Sequence, residues 1–133
     1  MRFSKEELTS DYWAFCELYE HLANLHGKTK ILGDEIINNG IESIKLVDLR
    51  LSEIYSLYNT ANLYLSIKGD LHHYEITSLL SFWNETYIGM YLVAREDLQN
   101  TSYMSDKFQN YLAQYDIVEH MLKSKIQELK KLL

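Results

Sequence analysis

Apolar residues recur at spacings of three and four along most of this chain, the pattern of helices that each bury one stripe. Leu8, Tyr12, Phe15, Leu18, Tyr19, Leu22 and Leu25 form the first stripe. Ser4 and Glu7 precede it with the spacing of a capping box, in which the hydroxyl accepts the third helical amide and the carboxylate reaches back. Gly27 offers a left-handed stop, so the pattern predicts a helix over 5–26. Between Gly27 and Gly40, Ile31, Leu32, Ile36 and Ile37 make one narrow stripe with Gly33 inside it, consistent with a short helix or lid over 28–39.

From Ser43 the repeat becomes more regular. Ile44, Val47, Leu51, Ile54, Tyr58, Ala61 and Leu65 alternate three and four apart, a heptad-like seam. Ile44 to Leu51 also alternates partly with period two, but Val47 falls on the helical stripe and on the wrong face of a strand. The helix should run to Lys68, with Gly69 ending it and Asp70 capping the next. A helix over 71–98 follows, with Ile76, Leu79, Leu80, Trp83, Tyr87, Met90 and Ala94 on its seam. The polar run Gln99 to Asp106 reads as a loop, with Ser102 or Ser105 as the next cap. Phe108, Tyr111, Leu112, Tyr115, Val118, Leu122, Ile126 and Leu129 then carry a final helix almost to the end. Short connections make neighbours antiparallel, so the expected fold is all-α: one domain over 1–133, an antiparallel bundle of four long helices plus one short helix.

Composition agrees with long helices. None of the 133 residues is proline, which would cost ~3 kcal/mol inside a helix by removing a donor and clashing with the preceding turn. Cys16 is the single cysteine, so neither an internal disulfide nor a cysteine-based zinc cluster can form, and a reducing, cytoplasmic setting is the simplest expectation. The N-terminus lacks the apolar core of a secretory signal. Ile76 to Ala94 is the nearest approach to a membrane span, but Asn84 and Glu85 at its centre would be costly in hydrocarbon, so no membrane insertion is expected. The net charge of −6 disfavours nucleic acid, whose binding depends on cationic neutralisation of phosphates. Lys123, Lys125, Lys130 and Lys131 form a basic exception at the C-terminus, where they complement the negative end of the helix dipole.

Candidate chemistry is sparse. Glu17-x-x-Glu20-His21 and Asp116-x-x-Glu119-His120 repeat an acid-x-x-Glu-His pattern, but Glu17, Glu20, Asp116 and His120 fall on outer faces, where bundle metal ligands do not sit. His72 and His73 point about 100° apart on a helix and cannot share an ion unaided. No nucleophile elbow or phosphate-binding glycine loop is present, and no catalytic residue, metal ligand or cofactor is assigned. Eleven tyrosines, six of them on the seams, fit core packing, or a cavity for a small molecule.

The surplus apolar surface is more informative. On the helix over 71–98, Phe82, Ile88, Tyr91 and Leu92 occupy much of the circumference outside the seam, and Leu49, Leu63, Tyr64 and Ile67 do so on the helix over 43–68. A helix apolar nearly all round must be central or must meet something else. Either 28–39 covers the excess or another chain does. The expectation is a non-enzymatic interaction module, such as an inhibitor, immunity factor or regulatory subunit, that binds a protein partner or a second copy through Phe82, Glu85, Ile88, Tyr91, Leu92, Leu49, Leu63, Tyr64 and Ile67 and through its acidic surface. The alternative is a bundle, enzymatic or not, that binds a small molecule or metal at a Tyr/His-lined site.

Overall fold

A computed structural model describes residues 4–39, 47–95 and 101–133. They form four long helices, α1 (Lys5–Asn39), α2 (Val47–Ile67), α3 (Tyr74–Arg95) and α4 (Ser102–Leu132), with a 3-10 turn over Gly69–Leu71 between α2 and α3. The described residues contain no strand.

The helices pack as an up-down-up-down bundle, and polar links across each seam fix its direction. Lys28 pairs with Glu53 at 3.6 Å and Tyr64 bonds Glu17 at 2.8 Å, so α2 runs antiparallel to α1. Arg95 pairs with Asp48 at 2.8 Å and Trp83 stacks on Tyr58, which sets α3 against α2 in the same sense. Glu85 meets Lys107 at 3.4 Å while the Gln114 amide donates to the Glu75 carbonyl at 2.8 Å, reversing α4 against α3. Tyr19 meets Glu119 at 3.5 Å and His26 meets Tyr111 at 3.1 Å, which closes the ring between α4 and α1. The α3–α4 seam is the most extensive and the α2–α3 seam the thinnest of the four.

The predicted seams make the core. Leu18, Leu22, Ile54, Leu65, Ile76, Leu79, Trp83, Phe108, Tyr111 and Leu122 are fully or almost fully buried. Each such apolar side chain contributes roughly 1.5–3 kcal/mol relative to exposure. The Trp83 indole N–H donates to the Thr29 hydroxyl at 2.9 Å across the bundle, with both side chains fully buried. That bond matters because an unpaired buried donor would cost about 1–3 kcal/mol.

Three element boundaries differ from the expectation. First, α1 does not stop at Gly27 but runs through it, so 28–39 is no separate short helix. Its stripe continues in phase as Leu25, Thr29, Leu32 and Ile36, all buried. Burying Leu32 and Ile36 outweighs the ~1 kcal/mol that a helical glycine costs. Second, Asp70 caps nothing: it lies in the 3-10 turn, whose Leu71 is buried, and the first turn of α3 closes on the His73 carbonyl through the Ile76 and Thr77 amides. Third, α4 starts within the expected loop, with Thr101 at its cap position and the Ser105 amide bonded to the Thr101 carbonyl, so neither Ser102 nor Ser105 is the cap. The Ser4 cap is as expected, its hydroxyl accepting the Glu7 amide at 3.1 Å. Ile44 and the expected breaks near 40 and 99 lie outside the described residues.

Candidate partner-binding surface

The nine residues singled out for partner binding separate into three groups on the folded chain. Phe82, Glu85 and Tyr64 are half-buried and engaged within the bundle. Phe82 packs against the core, and Glu85 pairs with Lys107 of α4, so its counter-charge is internal. The Tyr64 hydroxyl lies 2.8 Å from a Glu17 carboxylate oxygen and 3.2 Å from the Ala14 carbonyl, facing α1. Burial, reinforced by the Glu17 carboxylate, pushes this phenol up to about 12.

The second group is on α3. Ile88 and Leu92, one turn apart, are 43% and 37% exposed. Tyr91 is exposed on one side, but the Arg95 guanidinium lies 4.2 Å above its ring and is itself held by Asp48 of α2. The second half of α1 cannot cover these residues, because its Gly33 faces Phe108 of α4 and its Thr29 reaches the inner side of α3 at Trp83. The third group is on α2. Leu63 and Ile67 are 61% and 69% exposed, also one turn apart, while Leu49 is exposed about 21 Å further along the same helix, at 1.5 Å per residue.

Several of the tyrosines pack as stacked and tilted rings between helices. Tyr58 stacks on Trp83 with ring centroids 4.4 Å apart, Tyr87 stacks on the same indole at 5.3 Å, and Tyr55 packs against Tyr87 at 5.2 Å, so these rings fill the α2–α3 seam. On the other side, His26 stacks on Tyr115 at 3.6 Å and its Nδ1 lies 3.1 Å from the Tyr111 hydroxyl. Burial drives the Tyr111 and Tyr115 phenols well above their ordinary value and pushes His26 below its own.

The acid-x-x-Glu-His patterns are likewise dispersed. Glu17 is held by Tyr64, His21 packs its ring 5.1 Å from Tyr64, and Glu119 is shared between Tyr19 and Lys123. Among the described residues no three His, Cys, Asp or Glu side chains are grouped to hold a metal ion. His72 and His73 part company: His72 approaches the Thr77 hydroxyl at 3.4 Å, whereas His73 lines a groove of about 350 Å³ with His120. Phe15, Met121 and Leu122 supply apolar lining there, and Lys125 and Glu128, 3.8 Å apart, are also on its wall. The two histidines are far apart in sequence, and no spacing signal could have joined them.

Trp13 was missed by pattern reading. It sits one residue from the Tyr12 stripe position and is 59% exposed. Its signal was present, however: a tryptophan just off the seam of an amphipathic helix is a large apolar side chain on the wrong face. No helix among the described residues is long and apolar enough to cross a membrane. Comparison with protein families, curated proteins and solved structures finds no match to this chain.

Proposed function

We propose that this protein is a non-enzymatic interaction module that binds a cationic protein partner through apolar side chains on the outside of its bundle. The observation that carries the reading is that Leu63 and Ile67 on α2, and Ile88 and Leu92 on α3, stay in water on the outside of the bundle while the seam residues of the same helices are buried. Pairs of exposed aliphatic side chains one turn apart are suited to anchor a partner, because their burial releases water without breaking any internal bond. The net charge of −6 favours a basic partner over a second copy of the same acidic chain.

The test is to identify a partner by affinity capture, purify it, and measure its affinity by calorimetry. The chain is compared with a variant carrying Leu63→Ser, Ile67→Ser, Ile88→Ser and Leu92→Ser together. A basic partner that binds saturably, and at least about tenfold more weakly to a variant of unchanged Tm, supports the reading. Equal binding to both proteins overturns it. A second reading, binding of a small molecule, is favoured by the groove around His73 and His120. A retained small mass in native mass spectrometry of the purified chain would support that one instead.

A further inference from the structure

Resting on the reading that the chain binds a cationic protein, we infer that the docking face is the seam between the first half of α1 and the second half of α2, and that its occupant is an amphipathic segment carrying lysine or arginine beside an apolar stripe.

Exposure is the first reason. Trp13, Leu63 and Ile67 are about 60–70% in water, well above Ile88 and Leu92 on α3. The register of the two helices brings the three together. Tyr64 opposite Glu17 and Glu53 opposite Lys28 place Ile67 level with Ala14 and Leu63 level with Leu18. Trp13 therefore flanks the same seam within about one helical turn of both, from the opposite ridge. The floor between the ridges is polar and already ordered, since the Tyr64 hydroxyl is fixed by Glu17 and its ring by His21.

Charge is the second reason, and it selects the occupant. Residues 6–27 contain Glu6, Glu7, Asp11, Glu17 and Glu20 and no lysine or arginine, while residues 54–67 of α2 contain no charged side chain; Lys5 and Lys68 border the two stretches and leave the acids in excess. Among the described residues, none of those five acids has an ion-pair partner. Elsewhere among them Asp34, Asp48, Glu53, Glu85, Glu119 and Glu128 are each paired with a lysine or arginine, and the unpaired Glu35, Asp70, Glu75, Asp106 and Asp116 are spread along the helices rather than gathered in one cation-free stretch. Glu6, Trp13 and Glu20, spaced by seven, fall on one outer line of α1, so the exposed indole stands between two carboxylates with Glu17 at its side. A second copy would bring the same acids against these, and a nucleic acid or an anionic lipid surface would be repelled. A helix-in-groove ligand with cations on its rim and leucine-like anchors at its centre meets both features.

The probe is a fluorescein-labelled peptide of leucine and lysine only, about 18 residues long and patterned as an amphipathic helix. Anisotropy should show saturable binding. Trp13 emission should shift to the blue, and the shift should vanish in Trp13→Phe because the other indole, Trp83, is fully buried. Leu63→Ser with Ile67→Ser should weaken binding about tenfold, and Glu17→Gln with Glu20→Gln severalfold, at unchanged Tm. Ile117→Ser, at an exposed aliphatic side chain on α4, should leave it unaltered. A lysine-only peptide that binds as tightly, or an affinity indifferent to the Leu63/Ile67 pair, overturns the inference. If the captured natural partner is lost with Ile88 and Leu92 but kept without Leu63 and Ile67, the docking face is refuted while the interaction reading stands.

Discussion

Burial lowers the pKa of His26. Its ring lies flat on Tyr115 and its Nδ1 meets the Tyr111 hydroxyl, so the imidazole has little water left to solvate a positive charge. Asp116 and Glu119 on α4 favour the cation and Lys30 on α1 opposes it, but desolvation is the largest influence and lowers the value from 6.5. A histidine held below its unfolded value binds fewer protons in the folded state. Its neutral form therefore contributes stability that is fully present above about pH 6.5 and is lost as pH falls through the folded value. The urea midpoint should drop between about pH 7.5 and 5.5 more steeply for the wild-type chain than for His26→Gln, after both are normalised at the higher pH. Equal slopes would show that His26 is not the group responsible. Nothing in the sequence marks His26, because its stacking partner is contributed by a helix almost ninety positions away.

At the scale of the helix, three glycines of similar appearance in the sequence carry opposite meanings. Gly27 lies mid-helix with open space where a side chain would go. Alanine there should raise stability by about 0.5–1 kcal/mol, by lowering the entropy of the unfolded chain. A Cβ at Gly33 would stand 2.5 Å from the Phe108 ring, and one at Gly89 would stand 2.9 Å from the Met104 Cα. Gly33→Ala and Gly89→Ala should each cost roughly 1–3 kcal/mol, Gly89 the more because the atom it meets is backbone and cannot swing away. Thermal denaturation of the three single variants checks the order. The sequence pattern alone predicts a helix stop at Gly27, yet α1 continues through it. Whether a glycine ends a helix depends on what the next turns can bury, and the partners of Leu32 and Ile36 lie elsewhere in the chain.

Across the whole molecule, cohesion is uneven. The α3–α4 seam is extensive and allows close backbone approach at Gly89, whereas α2 touches α3 least and does so mainly through stacked aromatic rings. Native-state hydrogen exchange should give the buried amides of α3 and α4 higher protection than those of α2. Tyr58→Ala should speed exchange in α2 by more than in α4, and uniform acceleration would mean that the bundle opens only as a unit. An outer helix that is both loosely held and apolar on its free side is also the element with most to gain from a partner.

The sequence by itself determined the class of structure and most of the core. Heptad-like stripes, the absence of proline and the Ser4 cap depend on neighbours within a turn or two, and helical periodicity converts them directly into a buried face. It also determined that α2 and α3 carry more apolar positions than one buried stripe requires. Tertiary structure decided how that surplus is divided. Tyr64, Phe82 and Glu85 share the same periodicity as their exposed neighbours, yet they are occupied by α1, the core and α4 because of the register in which the helices met. Packing likewise brought His73 and His120 to one groove, since side chains distant along the chain become neighbours only after packing has fixed which faces touch.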